Sequence, residues 1–255
     1  MATGFRTLSP AKKTLKPMTK RVGIIQSCYI PWKGYFDFIN SVDHFVLYDD
    51  VQYTRRDWRN RNQIKCAEGL RWLTVPVEVK GKFTQAIRDT RVAERTWAES
   101  HLKALVHTYA RAPFFDDYRD FLRDAYAEAG SLERLSQVNF LFIQRLCQVL
   151  GIKTPLTWSS EFELRGNKSE RLLNICLDLG ASEYVSGPAA RCYLDTALFN
   201  EKGVDVSFFD YGGYPEYEQL YPPFAHTVTL IDLLVHTGPE ARRYMKSFQD
   251  VAVNA

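Results

Sequence analysis

The 255-residue chain has no apolar stretch of the ~20 residues that a membrane-spanning helix needs. Its first twenty residues are basic but contain no apolar core, so we do not expect a secretory signal. The five cysteines are scattered, and none forms a C-x-x-C pair. This pattern argues against both a structural zinc site and a disulfide framework. We therefore expect a cytoplasmic protein with reduced thiols that is not inserted in a membrane.

Well-known catalytic motifs are missing as well. The chain has no G-x-S-x-G, no H-E-x-x-H and no G-x-x-x-x-G-K-[ST]. Its five histidines are dispersed, and the six-residue spacing of His101 and His107 puts them on different faces of a helix. We therefore predict no metal site. Cys28 is the one candidate thiol nucleophile, because a following helix N-terminus would lower its pKa, but a small packing residue is the favoured interpretation.

What the sequence does contain is an uneven distribution of charge. The net charge is +3, yet residues 1–21 hold six basic residues and no acidic one, and residues 55–65 hold five basic residues against Asp57. The remainder is therefore acidic, which makes the basic segments local features. We predict a disordered basic tail over residues 1–20, a single α/β domain over 21–240 with a helical insertion at about 96–150, and a C-terminal tail over 241–255.

The apolar pattern changes repeatedly between strand-like and helix-like segments. Apolar positions at helical spacing predict helices between the strands and through most of residues 97–151. Strands separated by helices favour an α/β fold with a mainly parallel, Rossmann-like sheet, helices on both of its faces and a helical middle region. The short apolar runs predict strands near residues 22–26, 44–48, 72–77, 183–185 and 204–209, with a further short one at 156–158.

The segment from Val22 to Ile39 predicts a strand, a sharp turn and a helix. Pro31 suits the first position of that helix, because its fixed φ fits there. Such a unit leaves backbone donors free at the carboxyl edge of a sheet, where α/β proteins bind anionic ligands. The alternative is that the aromatic residues only pack the helix onto the sheet. The candidate ligand-binding residues in this segment are Gln26, Tyr29, Trp32 and Tyr35.

Two adjacent carboxylates, Asp49 and Asp50, end the second predicted strand. Carboxylates at this position can bind a metal or act as a general base. Neighbouring side chains of a strand point to opposite faces, so we expect at most one of the two to reach a site. The alternative is a pair that only caps a turn. We take Asp50, and after it Asp49, as the candidate catalytic residues.

Residues 52–65 combine guanidinium, amide and aromatic groups. Arginine supplies a bidentate fork for phosphate, amides bond hydroxyls, and rings stack on bases or sugars. The cluster is small for a nucleic-acid footprint, so a nucleotide or nucleotide sugar fits better, and a solvated basic loop is the alternative. We expect Arg56 or Arg61 to face the same cleft as Gln26. The candidate binding residues are Gln52, Tyr53, Arg56, Asn60, Arg61, Asn62 and Lys65.

A second strand, turn and helix follow residue 183. Ser186 and Gly187 offer a hydroxyl and a close backbone approach to a phosphate, and Arg191 comes one turn later. Because the carboxyl ends of parallel strands share one edge of a sheet, we expect Ser186, Gln26 and one of the two aspartates to converge there.

Taken in order, these segments resemble the WbqC-like family. The resemblance spans about Arg21 to Gly238 and is carried by I-I-Q-S-C-Y-I-P-W-K-G-Y-F, L-Y-D-D-V-Q-Y, N-R-N-Q-I-K, W-L-T-V-P-V and Y-V-S-G-P-A-A-R-C-Y-L-D. The family is associated with bacterial O-antigen and other surface-polysaccharide gene clusters. This association implies a cytoplasmic enzyme that transfers a small acyl or aminoacyl group, such as glycyl, to an amino-sugar intermediate.

The resemblance also implies particular partners. These are a nucleotide sugar or another phosphorylated small molecule, a nucleotide-containing donor, and tRNA if the transferred group is aminoacyl. It implies no catalytic residue, so Asp50 rests on the physical argument alone. The alternative function is a non-catalytic module that binds a nucleotide or tRNA and recruits another biosynthetic enzyme.

Overall fold

The computed structural model describes residues 19–249, so the predicted basic tail lies outside the described residues except for its last two positions. The strands are β1 (Arg21–Ile25), β2 (His44–Leu47), β3 (Arg61–Cys66), β4 (Gly69–Thr74), β5 (Leu156–Trp158), β6 (Glu183–Ser186) and β7 (Asp205–Phe208). The α-helices are α1 (Lys33–Asn40), α2 (Trp97–Tyr109), α3 (Phe115–Ala129), α4 (Leu135–Leu150), α5 (Lys168–Asp178), α6 (Thr196–Glu201) and α7 (Leu230–Thr237).

Five strands form one sheet in the order β5-β2-β1-β6-β7, and every neighbouring pair is parallel. The chain runs outward from β1 through β2 to β5 and then returns to β6 on the other side of β1. This is the strand order of a Rossmann fold. The prediction of a mainly parallel, Rossmann-like sheet is therefore confirmed. The order reverses between β1 and β6, and ligands bind at such switch points in open α/β sheets.

Helices cover both faces of this sheet. Phe45 and Leu47 of β2 lie in a core with α1, α4 and α7, whereas Val46 between them packs with residues of α5 and α6. The residues of β2 that follow His44 are all apolar and buried, as expected for a strand covered on both faces.

The predicted strand at 72–77 does not join this sheet, and the expectation that it would is wrong. Residues 69–74 form β4, which pairs antiparallel with β3 in a separate hairpin. Cys66 pairs with Gly69 across a tight turn, and the φ of +111° at Gly69 is one that glycine adopts readily. Strand β3 itself was not predicted, because polar residues at alternate positions conceal its apolar ones.

Helices α2, α3 and α4 surround a second core. Tyr126 and Phe142 pack there with Ile64 and Leu73 of the hairpin. Helix α4 connects this core to the sheet, because Phe142 lies in the hairpin core and the next residue, Ile143, lies in the core beneath the sheet. The hairpin is therefore held by the helices and adds no strand to the sheet.

Residues 241–249, which the sequence assigns to a C-terminal tail, pack onto α1. Met245 is fully buried, and the backbone N–H groups of Lys246 and Ser247 donate to the carboxylate of Asp37 at 3.2 and 2.7 Å. Residues 250–255 lie outside the described residues. Within residues 19–249, no helix has both the length and the apolar character needed to cross a lipid bilayer.

Candidate functional site

A cleft of about 940 Å³ lies at the carboxyl ends of β1, β2 and β6. Gln26 follows β1, Asp50 follows β2, and Ser186 ends β6, so the three turns meet at the switch point of the sheet. Among the described residues that line the cleft, Asp50 is the one acidic residue and Arg59, Lys168 and Arg171 are the basic ones.

The turn after β1 is held in place by Asp49. The carboxylate of Asp49 accepts the backbone N–H of Ser27 at 2.9 Å and the Ser27 hydroxyl at 2.7 Å. The side-chain amide of Asn139 in turn donates to the Ser27 oxygen at 2.9 Å. Burial raises the pKa of Asp49, while its bonds from Ser27 oppose that shift. Asp49 is buried and does not line the cleft, so its contacts are those of a positioning residue.

Asn62 holds the next part of the same turn. Ile30 has a φ of +35°, a left-handed conformation that costs a side chain of this kind about 1–3 kcal/mol. The Asn62 amide donates to the carbonyl oxygens of Tyr29 and Ile30 at 3.1 and 2.8 Å. Asn62 also lines the cleft, so one buried amide both fixes the turn and faces the site.

Arg59 is the arginine of the basic segment that reaches the cleft. Its Nη1 donates to the carbonyl oxygens of Gln26 and Ser27 at 3.0 and 3.2 Å, and its Nε lies 3.7 Å from Asp57. Neither of the predicted arginines lines the cleft: Arg61 stacks over Trp72 at 4.0 Å and donates to the Arg56 carbonyl. The basic segment thus contributes Arg59, which is not among the residues predicted from the sequence.

Asp50 lines the cleft with both carboxylate oxygens already engaged. One oxygen accepts the Ser159 hydroxyl at 2.6 Å, and the other forms an ion pair with Arg88. The arginine that pairs with Asp50 lies outside the basic segment of residues 55–65, because Arg88 follows the hairpin in the chain. These partners are not evident from the sequence, because Ser159 and Arg88 lie far from Asp50 along the chain.

Two further basic residues of the cleft, Lys168 and Arg171, stand at the beginning of α5. The helix begins where Asn167 caps it and Glu170 bonds back to the Asn167 N–H. Arg171 donates through Nε to the Gly166 carbonyl at 3.0 Å and lies beside the Tyr48 hydroxyl. The N-x-x-E capping pattern was the signal that could have located this helix N-terminus in the sequence.

Aromatic side chains form much of the wall of the cleft. The Tyr211 ring lies 5.6 Å from that of Trp32, and the Tyr35 hydroxyl donates to the Gln26 carbonyl at 3.1 Å. Burial raises the pKa of Tyr35 and Tyr211, so their hydroxyls are neutral. The aromatic residues of the lining are Trp32, Tyr35, Tyr48, Trp58, Tyr184, Tyr193 and Tyr211.

Comparison with known proteins identifies the chain at the family level. The model of the WbqC-like protein family matches residues 26–244. The chain belongs to the WbqC-like protein family. A Mycobacterium tuberculosis (strain ATCC 25618 / H37Rv) protein, "Uncharacterized protein Rv1507c", is 48% identical over 227 residues, which is 89% of this chain and 98% of that protein. No solved structure matches this chain significantly.

The predicted site residues of this WbqC-like chain lie in two groups. The structure brings these to the cleft: Gln26, Trp32, Tyr35, Asp50, Gln52, Asn62, Ser186 and Gly187. It leaves these outside the lining: Asp49, Tyr29, Tyr53, Arg56, Asn60, Arg61, Lys65 and Arg191. Tyr29 is fully buried, with its hydroxyl 2.8 Å from both His101 Nδ1 and the Tyr126 hydroxyl.

Cys28 lines the cleft, but its thiol is poorly suited to act as a nucleophile. Burial raises its pKa to about 11, although Arg59 acts in the opposite direction. The thiol is therefore protonated at neutral pH, and the thiolate is the reactive form. Residues 19–249 of this WbqC-like protein contain no group of three or more His, Cys, Asp or Glu side chains that could hold a metal ion.

Proposed function

We propose that this WbqC-like protein is a cytoplasmic enzyme of bacterial surface-polysaccharide biosynthesis. Its substrate is a nucleotide-linked amino sugar, to which it transfers a small acyl or aminoacyl group. The observation that carries the proposal is the composition of the switch-point cleft, which combines three cations, seven aromatic side chains and a single carboxylate. The family's association with surface-polysaccharide genes supports the same substrate class.

The cations suit the diphosphate of a nucleotide sugar. The bonds of Arg59 to described residues use Nη1 and Nε, which leaves its Nη2 to donate to a ligand. Lys168 and Arg171 line the same cleft from the first turn of α5. Arginine forks and lysine ammonium groups are the usual partners of phosphate oxygens in proteins. The aromatic walls offer stacking surfaces for the base and the sugar.

Asp50 is the candidate general base. The amine nitrogen of the sugar attacks the acyl carbonyl carbon, the bond from that carbon to the donor's carrier breaks with its electron pair, and the amine proton passes to Asp50. An ionised carboxylate has about four lone-pair sites, and Arg88 and Ser159 occupy only two of them. These partners also fix the direction of the carboxylate, which is what a base in a defined substrate geometry requires.

The first test is a thermal-shift screen of the full chain against UDP- and dTDP-linked amino sugars, ATP and CoA thioesters. A ligand present at 100 times its dissociation constant stabilises the folded state by about 2.7 kcal/mol, which gives an easily measured shift. The expected ligand is a nucleotide-linked amino sugar. A screen in which no nucleotide sugar shifts the melting temperature would contradict the proposal.

The second test separates an enzyme from a binding module. Asp50→Asn keeps the shape of the side chain but removes its basic site, so turnover should fall about 10²–10⁴-fold while ligand affinity stays within a few-fold. Asp205→Asn, at an exposed position where the side chain forms no hydrogen bond or ion pair with a described residue, is the matched control. A protein that binds the sugar nucleotide but never produces an acylated sugar would favour the alternative, a non-catalytic module.

A further inference from the structure

The outer face of the β3–β4 hairpin exposes large apolar side chains. Leu70 is 45% exposed and Trp72 38%, and Trp58 beside them is 39% exposed. The strand register puts Trp72 opposite Gln63 and Arg61 opposite Thr74, so Arg61 and Trp72 lie on the same face. The guanidinium of Arg61 stacks over the Trp72 ring at 4.0 Å. The ring of Trp58, in the segment before β3, lies 5.2 Å from the ring of Trp72.

The cations around this face lack acidic partners. Arg56 and Arg61 form no ion pair with any residue in the range 19–249. Elsewhere on the surface, Arg119 and Arg123 are each paired with a nearby aspartate. The one acid of the basic segment, Asp57, is already engaged by the Thr54 hydroxyl, the Trp58 N–H and Arg59. This uncompensated positive charge therefore favours binding of an anionic partner from outside the chain.

We infer that this hairpin surface, formed by Arg56, Trp58, Arg61 and Trp72, binds single-stranded nucleic acid. Exposed rings stack on unpaired bases, and unpaired guanidinium groups bind the phosphates between them. Six-residue strands extend about 20 Å, which suits a segment of a few nucleotides. Tryptophan and arginine are also enriched at protein interfaces, so a second copy of the chain is the competing occupant that the test below excludes.

The hairpin surface continues into the cleft. Trp58 belongs to both, because it lines the cleft and its ring lies beside that of Trp72. A nucleic-acid strand bound on the hairpin surface therefore extends toward the switch-point cleft. The proposal does not rest on the proposed transferase activity, because Trp72 and Arg61 are not part of the cleft lining.

The test is fluorescence anisotropy of the full chain with fluorescein-labelled 12-nucleotide single strands, one of RNA and one of DNA. We expect both to bind, with log K falling as log[salt] rises at a slope of about −1.4, as for two phosphate contacts. Trp72→Ala should weaken binding roughly 5- to 150-fold and Trp72→Phe should restore most of the affinity, since loss of a stacked ring has that effect. Arg61→Ala should reduce the slope by about 0.7.

Two exposed positions away from the hairpin provide controls. Leu177→Ala on α5 and Arg119→Ala on α3 should leave oligonucleotide affinity unchanged. Tighter binding of RNA than of DNA would indicate contacts to the 2′-hydroxyl. Equal binding of the two would indicate that stacking and charge alone hold the strand. Both results uphold the proposal. Absence of binding at 0.1 M salt, or unchanged affinity in Trp72→Ala, overturns it. So does a dimer in light scattering that Trp72→Ala dissociates, because the patch would then join two copies of the chain.

Discussion

Ser27 and Asp49 are joined by two hydrogen bonds, one from the backbone N–H of Ser27 at 2.9 Å and one from its hydroxyl at 2.7 Å. The first residue lies in the turn after β1 and the second directly follows β2. The contact therefore couples the two turns that form one side of the cleft. Because both groups are buried, their bonds have no competition from water and their geometry is well defined.

We expect Asp49→Asn to destabilise the protein by about 1.5–3 kcal/mol, the typical contribution of hydrogen bonds to a charged group. An asparagine offers one acceptor oxygen where the aspartate offered two, and its NH₂ group would face a donor of Ser27. Urea unfolding of Asp49→Asn beside the exposed control Asp205→Asn measures the difference. A midpoint equal to that of the control would show that the two bonds do not stabilise the turn.

Arg59→Lys should weaken binding of a nucleotide sugar roughly 10- to 150-fold, which corresponds to the loss of about 1.5–3 kcal/mol from a charge-assisted bond. Lysine keeps the charge but cannot hold the carbonyl oxygens of Gln26 and Ser27 and also reach a ligand. Arg61→Lys is the matched control, because Arg61 stacks on Trp72 outside the cleft. Isothermal titration of both variants decides the point, and a larger loss in Arg61→Lys would place the ligand elsewhere.

The stability of the protein should fall between pH 6.5 and pH 4 because of His101. Burial lowers the pKa of His101 from 6.5 to about 4, and its Nδ1 lies 2.8 Å from the Tyr29 hydroxyl. In this pH range the histidine of the unfolded chain binds a proton, whereas His101 of the folded protein does not. Acid therefore favours unfolding by up to about 3 kcal/mol. The contribution is fully present above pH 6.5 and is lost by about pH 4.

The measurement is the free energy of unfolding at pH 7.5 and pH 4.5 for the wild type, His101→Gln and His107→Gln. His107 is exposed on the same helix and controls for the loss of a histidine. His101→Gln should lose less stability on acidification than the other two proteins. An identical loss in all three would assign the acid sensitivity to other groups.

Thiol titration should divide the five cysteines into one accessible residue and four protected ones. Cys192 is exposed, whereas Cys28, Cys66, Cys147 and Cys176 are buried. We expect Ellman's reagent to react rapidly with one thiol in the native protein and with five after unfolding, and Cys192→Ser should remove the rapid phase.

The variant Cys28→Ala should retain transfer activity, since burial keeps the Cys28 thiol protonated. If Cys28→Ala lost turnover without losing stability, Cys28 would again be a candidate nucleophile.

Local patterns predicted local structure correctly where neighbouring residues carried the signal. Pro31 and the apolar spacing after it predicted a helix, and α1 begins at Lys33. The placement of Pro31 at the first helical position is wrong, because Pro31 precedes the N-cap residue Trp32. The hairpin was not predicted, because neighbouring residues do not carry its signal. The alternation of Asn62, Ile64 and Cys66 toward the helices is masked by the polar residues between them, and the pairing of β4 depends on the turn at Gly69.

The sequence by itself determined that two turns, one after β1 and one after β6, meet at one edge of a parallel sheet. Apolar runs bounded by turns and helices can be buried in few other ways. Only the tertiary structure decided which cations face the cleft. Arg59 enters it and Arg61 does not, because the direction of each side chain in an irregular segment is set by distant partners. For these two residues the partners are the carbonyl oxygens of the turn after β1 and the ring of Trp72.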